Sequence, residues 1–499
     1  MAFFIAALRA SSRADIVLHV VPPGATSVVQ RDGSKDAPFD SVSAARNALR
    51  ALQPLPPGGA KVILHGGTHK PFLLDPALDS GTINASIVYE GSIDDRERAV
   101  VSGGLPVPRS AFKPQTSGPP GVLKADLSAL GVTVDMLGSM ETAQMTCVGS
   151  CQHDKADLYL NNKPMTLARF PNKAEDGSWR FLKADVAGKF GRNTPNPGGA
   201  WFLMDAGENA SRVEKWTKED PGTAWLHGYW GFDWADCYRK LAAAVPVTIN
   251  GSNYINVSFD PITHNAGMED VKTHARWYGV NLKSELDSPG EYYIDETELA
   301  LYFMPPASFP PSSWSGSNVP TLAINATSII NATGASHVSF RHLTVAYGRA
   351  IGFEASAVSS LEITNTTVFG MGQHGMILSG TDSSVLESTI HSCGCKGLST
   401  SGGDPRRYTA GNLTIRGNNI HHVALWKRTY QAPISFSGCG NVYQDNTVSF
   451  VPHTCIDGVG TNMTFSGNTL DTCAYESSDV GAFCEYYPRC SFELDAICR

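Results

Sequence analysis

The sequence predicts an all-β chain, a right-handed parallel β-helix solenoid carrying an N-terminal capping helix and an inserted β-rich subdomain. One short pattern recurs from about residue 335: alternating apolar residues, a polar pair, then a β-branched or leucine anchor. The anchors Val345, Val368, Ile390, Ile420, Val448 and Leu470 stand 23, 22, 30, 28 and 22 residues apart. Strand-like alternation at that period, without helical spacing, marks a stacked solenoid. A coil of about 22 residues has room for three short strands, and longer spacings are taken up as loops from one corner, such as Gly402–Arg407. Val, Ile, Thr and Gly dominate the repeats, which excludes a leucine-rich repeat. Two residues before the last three anchors stand Asn418, Asn446 and Asn468. Stacked at about 4.8 Å, their amides are expected to form a ladder.

The remaining segments follow from this frame. Residues 1–14 hold a short apolar run, Ala2–Leu8, and a small-residue end that resembles a signal segment. Residues 28–119 are read as the cap and first coils. There Asp40 or Ser41 is placed to N-cap a helix whose apolar face is Val42, Ala45, Leu49 and Leu52, closing the open end of the solenoid. Between 120 and 315 the repeat is lost and most of the tryptophans appear, which marks the insertion. Coils resume over 316–483, and 484–499 departs from their pattern.

Composition narrows the function. Charged residues make up 17% of the chain and the net charge is −8, so nucleic acid is not an expected partner. With 42% apolar residues the chain is not disordered, and no apolar run is long enough to span a membrane. Nine Asn-x-Ser/Thr acceptors, Asn84 to Asn462, point to a secreted or secretory-lumen glycoprotein. The eleven cysteines lack metal-site spacing, so disulfides are expected rather than a metal. Cys393 and Cys473 share an offset from their anchors but sit three coils apart, too far to bridge.

Several motifs resemble a family of secreted β-helix proteins in the pectate-lyase-like superfamily that includes fucosidase/xylanase-type glycoside hydrolases. They are Asp32–Phe39, Leu158–Asn162 with Ala168–Asn172, Glu291–Asp295 with Leu301–Pro306, Pro452–Ile456 and Asp479–Phe483. The resemblance implies a polysaccharide or other glycan as partner and hydrolysis without a cofactor. The segment from Cys484 to Arg499 departs from the family pattern, and coils are expected to be missing there.

Glycoside hydrolysis needs two carboxylates across the scissile bond. Asp457 and Asp479 each lie nine residues after an anchor, so turns of equal length would stack them one coil apart, where like charges drive one pKa up. If Ile456 and Phe483 are matched instead, Asp479 aligns with Pro452, near His453. Asp479, Asp457, His453 and Glu476 are the catalytic candidates, and His374, Lys396, Arg428 and Tyr430 the substrate-binding ones. Trp230, Phe232 and Trp234 are a candidate sugar-stacking platform, against the commoner use of such rings in core packing. A non-catalytic binding or matrix protein on the same scaffold is the alternative. A lyase with Lys396 or Arg428 as base is weaker, since no acidic calcium cluster accompanies them. The pattern sets no oligomeric state.

Overall fold

The computed structural model describes residues 16–25, 30–116, 118–141, 151–174, 176–189, 200–260, 270–316, 318–485 and 493–498. The signal-like segment lies outside the described residues. Among the described residues three parallel sheets wind into one solenoid, a network of 25 strands in which Thr409–Ala410 adds an antiparallel pair. The anchors form one column: Val345 pairs with Val368, Val368 with Ile390, Ile390 with Ile420, Ile420 with Val448, and Val448 with Leu470. All six are at most 1% exposed. Each is worth about 1.5–3 kcal/mol of burial, and their shared core runs the length of the solenoid.

The corner that leads into this column explains the register. Three residues before each anchor the chain turns left-handed, at His342, Asn365, Glu387, Gly417, Asp445 and Gly467. The next residue turns its side chain into the stack. Asn418 N–H and Nδ2 donate to Asn446 Oδ1 at 3.0 and 2.9 Å, and Asn446 donates likewise to Asn468. Ser388 continues the ladder: its N–H donates to Asn418 Oδ1, and its Oγ accepts from Thr366 N–H. Buried amides that the corner frees from strand pairing are thereby satisfied. At the far end of the third sheet, Gly438 has φ +105°, and a Cβ there would sit 2.0 Å from the Gly402 carbonyl oxygen. Close coil-to-coil approach demands glycine at that point.

The predicted cap is present. Helix α1 (Val42–Ala51) starts at Ser41, whose Oγ accepts from Ala44 N–H, and it buries Val42, Ala45, Ala48 and Leu49. Its Arg50 holds the buried Asp79 through two bonds of 2.7 and 2.6 Å. The helix covers the first rung, Ile16–Val20 on Ala60–Leu64.

The insertion is wider than the loss of repeat suggests. Val338 stacks on Ile87 and Val345 on Val101, so two coils more than 240 residues apart in sequence are direct neighbours. The described residues between Gly104 and Ala323 form an excursion, and Gly104–Pro106 pairs antiparallel with Thr321–Ala323 at its base. The excursion builds three antiparallel-rich sheets with cores of their own. Its sequence hides the edges because both closing strands read as ordinary short β segments.

Strand Glu493–Cys498 stacks on Thr464–Asp471, so part of the atypical segment continues the solenoid. Disulfides join Cys151 to Cys395 and Cys455 to Cys473, while Cys393 is a buried free thiol, in keeping with the coil count. Among the described residues no helix is long and apolar enough to cross a membrane.

Replacing Asn446 by Ala would strand buried amides above and below it. The expected loss is about 2–4 kcal/mol, read as a lowered midpoint in urea unfolding, with Asn446→Asp losing less than the alanine variant.

Candidate functional site

In-register stacking lines side chains up in columns, and one column on the sheet that holds Ile434–Cys439 and Ile456–Thr461 includes the predicted Asp457. Its members are Asn331, Glu354, Ile377, Ser399, Ser435, Asp457 and Cys484, each paired with the next. In-register neighbours a strand spacing apart fall within hydrogen-bond reach. Lys396 Nζ donates to Ser435 Oγ at 2.6 Å, and the Ser435 hydroxyl donates to Asp457 Oδ1. One corner away, Lys396 N–H donates to His374 Nδ1 at 3.3 Å. Burial, with the Lys396 charge beside it, pushes His374 down to about 4.

Ile456 pairs with Phe483, which overturns the equal-turn register. Asp457 therefore faces Cys484 rather than Asp479. The turn before Phe483 is longer than the one before Ile456, and Asp479 sits exposed within it at φ 55°. Burial and then Asp457 raise the Cys484 thiol, while burial, Cys484 and Asp479 raise the Tyr430 hydroxyl.

His453 is 3% exposed, and its ring lies 5.1 Å from that of Tyr430. Its Nδ1 has no hydrogen-bond partner, and the charges bearing on it are Asp236 and Lys427 rather than the expected acids. Burial takes it down to about 4.

The insertion docks on the corner segment 427–429 through buried charge. Asp236 accepts from Lys427 Nζ at 2.7 Å, from the N–H of Arg428 and Thr429 at 3.0 and 2.9 Å, and from Thr429 Oγ1 at 2.6 Å. His227 Nε2 completes the set at 2.8 Å. Burial opposes the charge, but Lys427 and His227 outweigh it and hold Asp236 well below the usual carboxylate range. These groups come from the insertion, at positions where sequence showed no pattern beyond a nearby aromatic cluster.

Glu476 and Arg428, predicted for catalysis and for substrate, are bound to each other instead. Glu476 Oε2 accepts from Arg428 Nη2 at 2.6 Å, and Oε1 accepts from Arg428 Nε at 3.1 Å and from Tyr229 Oη at 2.7 Å. Burial would raise Glu476, yet the Arg428 charge and these bonds hold it below its ordinary value. A carboxylate so saturated anchors the corner to the insertion and is poorly suited to donate a proton.

Beside this pair the two parts of the chain enclose a pocket walled by Trp179, Tyr238, Tyr278 and Trp426. Asp157 stands in its wall, accepting from Trp426 Nε1 at 3.0 and 3.1 Å and from Tyr292 Oη at 3.3 Å. Arg169 and Lys173 line the same pocket. Both lie in or beside the Ala168–Asn172 motif, which the sequence marked as architecture only. Trp230 is core: it is fully buried, packs on Phe202 and Phe259, and donates Nε1 to the Cys237 carbonyl. Trp234 of the same motif is half-buried, stacked on Phe232 and 6.3 Å from Tyr430.

His453 sets a pH dependence. The unfolded chain takes up the imidazole proton near pH 6.5 and the folded chain only near 4, so stability falls as pH drops through that window. The loss attributable to this ring is up to about 3 kcal/mol. Denaturation midpoints between pH 7 and 4 should show a slope that is shallower in His453→Gln.

Residues 328–493 match the family model described as a right handed beta helix region. A comparison with curated proteins finds no match. Among solved structures, one titled "Glycoside hydrolase" aligns over 96% of this chain and 96% of its own, with TM-score 0.59 and 13% identity. A structure of XylC with xylose aligns over 92% of this chain and 70% of its own, with TM-score 0.35 and 10% identity. At such identity the first likeness speaks for the fold, and it spans insertion and solenoid together. Residues 328–493 are thus a right-handed β-helix region, and strands between Ile16 and Ser102 extend the same solenoid.

Proposed function

We propose that the protein is a secreted, carbohydrate-active β-helix protein that hydrolyses glycosidic bonds in a polysaccharide. One observation carries the reading: Lys396, Ser435 and Asp457 form a hydrogen-bonded line across neighbouring coils, and their column ends at Cys484, which with Asp479 bears on Tyr430, 6.3 Å from the half-buried Trp234. Carboxylates beside an aromatic face suit a sugar chain, whose rings present apolar faces and many hydroxyls. The solved glycoside hydrolase of like fold agrees with this class.

The geometry divides the work. Asp457 is oriented by the Ser435 hydroxyl, itself set by the Lys396 ammonium, as befits the carboxylate that activates water or attacks the anomeric carbon. Asp479, on the exposed turn before Phe483, is the second carboxylate of the pair, assigned to the leaving-group side. His374, Lys396 and Tyr430 line the approach. Arg428 and Glu476 hold the floor in place. A second reading, a glycan-binding scaffold without turnover, draws on the saturation of Glu476 and the 3% exposure of Asp457.

A reducing-sugar assay of the purified protein across plant, algal and microbial polysaccharides tests the proposal. At least one substrate should be cleaved, and Asp457→Asn and Asp479→Asn should each lower kcat by 10³-fold or more. Asp479→Asn should leave the thermal midpoint within about 1 °C, because exposed substitutions stay within roughly 0.5 kcal/mol. Full activity in both variants would dismiss the pair, and binding without cleavage in the wild type would favour the scaffold.

A further inference from the structure

The inference rests on the glycan reading and names the kind of sugar. Arg169 is wholly buried in the wall of the aromatic pocket. Its Nη2 donates to the Arg180 carbonyl at 2.8 Å, while Nε and Nη1 have no partner. Its guanidinium carbon lies 4.2 Å from the Trp179 ring centre and 3.6 Å from that of Tyr278. Those faces attract the cation but offer no in-plane acceptor for its N–H groups. Buried charged donors left without acceptors are costly, and a site that keeps them implies a ligand that fills them.

The charge is uncompensated from the protein side. The carboxylates bearing on Arg169 are Glu476 and Glu291. Glu476 is committed to Arg428 and Tyr229. Glu291 accepts from the N–H groups of Asp287 and Ser288, and burial pushes it up to about 8, near neutrality. Lys173 adds a second cation: its residue is exposed at the rim, but its ammonium lies 4.6 Å from the Trp179 ring centre and lines the pocket. Burial and the charges of Arg169 and Arg428 bring it down to about 8. Three cations thus converge on Trp179, and among the described residues only Arg428 has a carboxylate partner.

We propose that this pocket is an acidic-sugar subsite, in which the carboxylate of a uronate residue accepts from Arg169 and Lys173 while its ring packs on the aromatic wall. A planar carboxylate matches the planar guanidinium better than any neutral hydroxyl. Asp157 does not cancel the attraction, since its oxygens are held by Trp426 and Tyr292.

Titration calorimetry on the full chain tests this with trigalacturonate, a glucuronate-bearing xylotriose, each sugar with its carboxylates reduced to hydroxymethyl groups, and a sulfated galactose trisaccharide. At least one uronate should bind tenfold or more tighter than its reduced counterpart. Lys173→Met, a change at the rim that leaves the core intact, should erase most of that preference, and Arg169→Gln should do the same if circular dichroism shows it folded. Equal affinity for acidic and reduced sugars overturns the proposal. So does a preference that survives Lys173→Met, or binding of the sulfated sugar alone. Neutral sugars bound without preference would sink the subsite and spare the glycan reading, whereas no binding of any sugar sinks both.

Discussion

The structure depends on one corner. Each coil must return to within a strand spacing of its start with no slip, because a one-residue shift would turn every inward side chain outward. The left-handed residue three before each anchor makes the bend, and from the third corner on the side chain that follows it, Ser388, Asn418, Asn446 or Asn468, supplies a hydrogen bond to the corner of the coil before. Asn is well suited to this place because its amide donates and accepts at once, so identical residues bond to one another along the stack. The apolar column is then a consequence: with register pinned, Val345 to Leu470 cannot avoid meeting.

That constraint also explains how a long excursion is tolerated. The coil holding Ile87 and Val101 accepts the coil holding Val338 and Val345 as its direct neighbour, since stacking needs only matching register and not chain continuity. The cost of closing a long loop grows slowly with its length. The inserted subdomain is then held to the solenoid by Asp236 on segment 427–429 and by Tyr229 on Glu476, near the end of the polar groove. Buried ion pairs contribute little net stability, but removing one partner is expensive, so they fix geometry. The junction of insertion and solenoid is thereby fixed in geometry.

Chemistry divides along that junction. On the solenoid side, Lys396, Ser435 and Asp457 form a hydrogen-bonded line along neighbouring coils. On the insertion side, Arg169 and Lys173 meet aromatic rings with no carboxylate of their own. Bond cleavage and sugar selection would thereby belong to different parts of one chain, and variation in the insertion could change the sugar without touching the groove.

The repeats determined the solenoid, because anchor spacing, strand alternation and the Asn418–Asn446–Asn468 series are local facts with one stacking solution. The places of Lys396, Asp457 and Tyr430 along the coils can be counted from the anchors in the same way, Asp457 falling in strand Ile456–Thr461. The count failed where turn length changed: the longer turn before Phe483 puts Cys484, not Asp479, opposite Asp457. It also could not tell a free acid from a paired one. Glu476 looked like any corner carboxylate until Arg428 and Tyr229 closed on it from a neighbouring coil and from a strand nearly 250 residues away. Arg169, Lys173 and Asp236 carried no repeat to count from. Their roles depend on which surface of the insertion meets which corner of the solenoid, and that is settled by the packing of two separately folded cores, a long-range contact that no local periodicity records.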